Sequence, residues 1–213
     1  MNFPFISSIV AIAGVAVSAC TGAAAGTRPD DMSVAGHEAA AVQWRSSMPS
    51  NSQNAEQLRK ARAVAAQHHA AAQALLDAEA RACNGVAVAD RDISPFSRKQ
   101  DIEGASALYM ERIVSSEGPA AKELVGAAVT FRAVPGLTGE WFQRIVDCHL
   151  ARNASLGHPV DAMPDCPLVL KNVSAVVKSA GPGFAVEVSS DDPAVAREIL
   201  GRAQRDASSS AQR

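Results

Sequence analysis

The sequence predicts an α+β fold: an N-terminal alanine-rich helical segment, then a small antiparallel sheet with two helices. Three observations carry this. Apolar residues recur at helical spacing from about Asn54 to Cys83. Apolar and polar residues alternate with period two around Val129, Val177 and Val186. The segment Ala128-Val-Thr-Phe-Arg, followed by a turn and a helix, is echoed by Ala185-Val-Glu-Val-Ser, a turn and a helix. The echo implies two strand–strand–helix units and a four-stranded sheet with both helices on one face.

In chain order, Ser33 is a good N-cap for a short helix from Val34 to Trp44, which ends before Ser46-Ser-Met-Pro-Ser50. Asn54 can cap the long helix. Its wheel places Leu58, Ala61, Val64, Ala65, His68, Ala72, Leu75, Leu76 and Cys83 on one face, with Glu79 on the same stripe. Alanine along that face permits close approach of another element. Asn84-Gly85 ends the helix. A charged connector follows, with Ser94-Pro95-Phe96 in its middle and the aspect of a solvated loop.

Leu108 to Val114 pairs poorly by pattern with the strand Val125 to Ala133. Pro135-Gly136 then turns the chain, and Thr138 starts a helix whose apolar face gathers Trp141, Phe142, Ile145, Val146, Cys148 and His149. Val173 to Val177 and Phe184 to Val188 are strands joined at Gly181-Pro-Gly183. Asp191 or Asp192 caps the last helix, with Pro193 near its first position and Val195, Ile199, Leu200 and Ala203 inward. The expected divisions are therefore 20–32 as a tether, 33–89 helical, 90–104 connector, 105–205 the α+β domain and 206–213 a disordered tail.

Composition narrows the functions. The 213 residues carry a net charge of −2, so the basic excess needed for nucleic acid or a polybasic membrane surface is missing. There are 43 alanines but only six Phe, two Trp and one Tyr. So few large rings leave little material for an aromatic-lined pocket or a base-stacking platform.

Residues 1–19 contain no charged side chain, and the apolar run Ile9 to Val17 has the length of an export signal's core rather than of a membrane span. Val17-Ser18-Ala19-Cys20 resembles the lipobox of bacterial lipoproteins, in which a branched apolar residue and two small ones precede the cysteine. The resemblance covers about a tenth of the chain. It departs from the usual pattern in lacking an early Lys or Arg. It implies cleavage after Ala19 and a lipidated Cys20, anchored through acyl chains at about 0.8 kcal/mol per buried CH₂. Thr21, where an aspartate would retain the protein at the inner membrane, points to the periplasmic side of an outer membrane. The implied protein is a membrane-anchored, non-enzymatic binding or scaffolding module, with an envelope protein as a possible class of partner.

Once Cys20 is lipidated, Cys83, Cys148 and Cys166 remain. In an exported chain two of them are expected to pair. Closing Cys148 to Cys166 would fix the Met163-Pro-Asp-Cys-Pro167 loop, for about 3 kcal/mol of loop entropy. Cys83 with either partner fits the spacing equally. The alternative chemistry is a copper or zinc site built from His68, His149, Cys148 and Cys166, since imidazole and thiolate suit both ions. Met32 and His37 would form a separate soft-metal arm. No Cys-x-x-Cys, His-x-x-x-His, Gly-x-Ser-x-Gly or phosphate-loop motif occurs. The adjacent Cys148 and His149 cannot face each other on a helix.

Overall fold

A computed structural model describes residues 32–48, 55–112 and 121–211. The expected export signal and most of the expected tether, with Cys20, and the cap residue Asn54 lie outside the described residues. The first helix, α1, runs Val34–Ser46, and the Ser33 side chain accepts the Gly36 N–H at 3.0 Å, as the N-cap pattern requires. The long helix, α2, spans Ala55–Ala82 and stops where Gly85 takes a positive φ of 84°. The two helices pack on each other, and Ala41 of α1 and Ala61, Ala65 and Ala72 of α2 are buried. Small side chains let the backbones approach, which gives the alanine stripe its physical role.

The sheet contains β1 (Ile102–Arg112), β2 (Ala121–Phe131), β3 (Ser174–Ala180) and β4 (Gly183–Ser189), all antiparallel in the order β1-β2-β4-β3. Helix α3 (Gly139–Ser155) follows β2, and α4 (Pro193–Ala211) follows β4, completing two strand–strand–helix units. Register pairs Ala127 with Val188 and Val129 with Val186, so these residues share one face. Phe142 and Val146 of α3 and Ile199 and Ala203 of α4 close over that face to form the main core. Each helix reaches across: α3 packs on β3, and α4 on β2 and β1. The opposite face carries Ala128, Thr130, Glu187, Val176 and Lys178. Two glycines are required by close approach. A Cβ at Gly126 would collide with the Val188 carbonyl, and one at Gly183 with the Phe131 carbonyl.

Three expectations about the chain's course need correction. Strand β1 begins at Ile102 rather than Leu108, because its Gly104, Ala105 and Ala107 give almost no hydropathy contrast to read. The connector is not a plain solvated loop: it forms three short 3₁₀ turns, and Phe96 and Asp101 are buried. The segment expected as a disordered tail continues α4 to Ala211, with Asp206 buried against Lys99.

Candidate functional site

The Thr138 side chain accepts the Trp141 N–H at 3.2 Å and fixes the start of α3 where the chain leaves the sheet. The first two turns of α3 then rest on β3 and β4 on one side, where Gln143 donates to the Ala175 carbonyl at 3.1 Å and accepts the Val177 N–H at 2.6 Å, and face the connector on the other. Trp141, expected inward, is 39% exposed as a result, while Phe142 on the next position points into the core.

Between that second side of α3 and the connector lies a cleft of about 240 Å³. Its floor is Phe131 and Phe142, its walls include Ile145, Val134 and Pro95, and Trp141 and Ile93 stand at the mouth. Ile93 is 48% exposed, so two large apolar side chains stand exposed at one opening, Trp141 with the Arg144 guanidinium 5.9 Å from its ring centroid. Edge-to-face contacts link Phe96, Phe131, Phe142 and Phe184 at centroid distances of 5.6, 5.1 and 6.0 Å, which stiffens the floor. The expectation that scarce aromatics leave little material for an aromatic-lined pocket is met by concentration: three of the few large rings, Phe131, Trp141 and Phe142, line this one cleft.

The polar groups of the cleft are unevenly committed. Asp101 accepts from Arg132 Nε at 2.9 Å and Nη2 at 2.7 Å, so its charge is neutralised in place. Arg98 lines the cleft with an exposed side chain that makes no ion pair among the described residues, and Asp90 lies on the same rim. Ser94 faces the cleft and also approaches Cys166 Sγ at 3.2 Å.

Behind Ser94, Cys166 Sγ lies 3.5 Å from His149 Nε2, so the structure does bring these two predicted residues together. Both are buried. Burial pushes the Cys166 thiol up, against a smaller pull from the Ser94 hydroxyl and nearby backbone. Burial pushes His149 down, opposed weakly by the Arg91 backbone, although no hydrogen bond of normal geometry reaches Nδ1. The pair is thus a neutral thiol against a neutral imidazole. That is the reverse of the lowered thiol pKa a cysteine nucleophile uses.

The disulfide joins Cys83 to Cys148, leaving Cys166 as a buried thiol. Of the open pairings, the one that ties the end of α2 to the middle of α3 is formed, and Cys148–Cys166 is not. The proposed four-ligand copper or zinc set does not assemble: Cys148 is oxidised, and His68 faces His37 of α1 at 3.0 Å between Nδ1 atoms. Among the described residues no three His, Cys, Asp or Glu side chains converge on one point. Met32 lies with its methyl over Gly36 in the first turn of α1.

Glu79 is the residue on the helical stripe whose role the sequence leaves blank. Buried on α2, it accepts from Ser155 Oγ and from Arg152 Nη1 at 3.1 Å, while Arg152 Nε donates to Asp92 at 2.8 Å. These contacts and the disulfide bind α2, the connector and α3 into one wall beside the cleft. Its sequence signal was an acid on an apolar face, which demands a buried partner.

Neither family models, nor curated proteins, nor solved structures include a match to this chain.

Proposed function

We propose that this chain is a bacterial cell-envelope lipoprotein held to the membrane through Cys20. Its folded part is a non-enzymatic binding module that takes the apolar portion of a small molecule in the cleft beside Trp141. The observation carrying the binding role is that cleft, an apolar recess with a rigid phenylalanine floor and an uncommitted cation, Arg98, at its rim. Its volume is below the ~300–1,000 Å³ of pockets for drug-sized ligands, so it suits a single ring or a short alkyl chain. Arg98 favours an acidic head group on that chain. The anchor rests on the uncharged apolar leader and Val17-Ser18-Ala19-Cys20.

The direct test titrates a short alkyl carboxylate, octanoate, into protein carrying Trp44→Phe, so that Trp141 alone reports by fluorescence. We expect saturable quenching or a blue shift, weakened at least tenfold by Ile145→Phe, which narrows the recess without adding a second tryptophan. A signal that is absent, or equal in the narrowed variant with its circular dichroism unchanged, removes the binding role. The anchor is tested separately: Cys20→Ala should move the protein from the membrane pellet to the soluble fraction. Continued sedimentation with membranes contradicts lipidation.

A further inference from the structure

We propose that the cleft beside Trp141 takes a free apolar α-amino acid, whose ammonium meets Asp90 and whose carboxylate meets Arg98. The inference rests on the binding role proposed above and adds the class of ligand to it.

The connector carries six charged side chains between Val88 and Asp101. Four are committed within the fold. Arg91 Nε donates to the Val86 carbonyl at 3.3 Å, and Asp92 accepts from Arg152. Lys99 pairs with Asp165 and Asp206, and Asp101 is held by Arg132. The other two, Asp90 and Arg98, make no side-chain hydrogen bond or ion pair among the described residues, and both line the cleft. They are opposite in sign, yet they do not pair with each other.

Backbone turns hold them in place. Asp90 closes the 3₁₀ turn Val88–Asp90, and its carbonyl accepts the Ile93 N–H at 3.1 Å. Arg98 lies between the turns Pro95–Ser97 and Lys99–Asp101, and its carbonyl accepts the Asp101 N–H at 2.9 Å. Buried Phe96 pins the stretch between them.

Charge then selects the ligand. With Asp101 neutralised by Arg132, the cleft presents one open charge of each sign. A simple acid at Arg98 leaves the Asp90 carboxylate unmatched on the same rim, and a simple amine leaves Arg98. A zwitterion answers both, while its side chain enters the recess over Phe131 and Phe142. About 240 Å³ accepts one ring or one branched alkyl group, so phenylalanine and leucine have the right size. An exposed ion pair is worth up to about fivefold in affinity, so the recess supplies the binding and the rim the selection.

The test uses the full chain carrying Trp44→Phe and follows Trp141 fluorescence with three ligands. These are phenylalanine, 3-phenylpropionate, which lacks the amine, and 2-phenylethylamine, which lacks the carboxylate. Phenylalanine should bind about fivefold more tightly than either. Asp90→Asn should abolish its advantage over 3-phenylpropionate without weakening 3-phenylpropionate itself. Arg98→Gln should do the same against 2-phenylethylamine. Both residues are exposed, so neither substitution threatens the fold. Equal binding of the three ligands, or a preference for phenylalanine untouched by Asp90→Asn, overturns the amino-acid assignment and leaves the cleft a binding site. If none of the three binds, and octanoate does not either, the cleft reading itself falls.

Discussion

Two buried acids show how differently one residue type is accommodated. Glu79 has its carboxylate satisfied by Ser155 and Arg152. Asp206 is 1% exposed, and neither of its oxygens has a hydrogen bond of good geometry, although Lys99 Nζ lies 3.3 Å from Oδ1. Burial pushes the Asp206 pKa up, and Lys99 only partly pulls it back. For Lys99 burial acts downward first, yet Asp206 and Asp165 together hold its pKa above the usual lysine range. A raised carboxyl pKa means that the folded protein binds this proton more tightly than the unfolded chain. Asp206 thus supports the fold below the ordinary Asp range and loses that support as pH rises through its folded value. Replacing it by Asn leaves Lys99 paired with Asp165 at 3.3 Å, so no charge is stranded. We expect Asp206→Asn to match the wild type near pH 3.5 and to be more stable by about 1 kcal/mol at pH 7. Urea denaturation at the two pH values measures this, and an advantage that shrinks with rising pH contradicts it.

At the scale of elements, the disulfide and the Glu79–Arg152–Asp92 contacts join the helical pair to α3. Cys83 and Cys148 are 65 residues apart, so closing that loop restricts the unfolded chain by about 4 kcal/mol. The double variant Cys83→Ser, Cys148→Ser should lose about that much stability in denaturant titration. Peptide mapping without reductant should show these two cysteines linked. Cys166 should react with a thiol reagent only after unfolding, and a Cys148–Cys166 linkage would refute the pairing.

The pairing also marks where the sequence stops being informative. Loop entropies of about 3 and 4 kcal/mol do not discriminate between partners, and what selects Cys83 is the packing of α2 on α3, a contact between distant segments. Trp141 is a similar case. A helical wheel reports its apolar face, but only the position of α3 between sheet and connector decides that Trp141 faces the cleft and not the core. Caps were legible because they are local: Ser33, Thr138 and Asp192 each accept the N–H groups their spacing predicts. The cleft was not, since its floor and rim are supplied by β2, α3 and the connector, whose approach no short window of sequence encodes.

For the molecule as a whole, the α+β architecture and both strand–strand–helix units were readable from alternation and helical spacing, and the sheet order was not. The centre of the sheet is β2 beside β4, strands more than fifty residues apart, and the apolar side of β2 is covered by α4, which follows all four strands in the chain. A chain handled from its N-terminus, at a ribosome or at a translocation channel, therefore cannot seal its core until α4, which follows all four strands, has emerged. Before then the inward valines of β2 have no lid, and the polypeptide stays threadable. Late closure is written into the strand order itself: removing the last helix would leave an open sheet rather than a smaller protein.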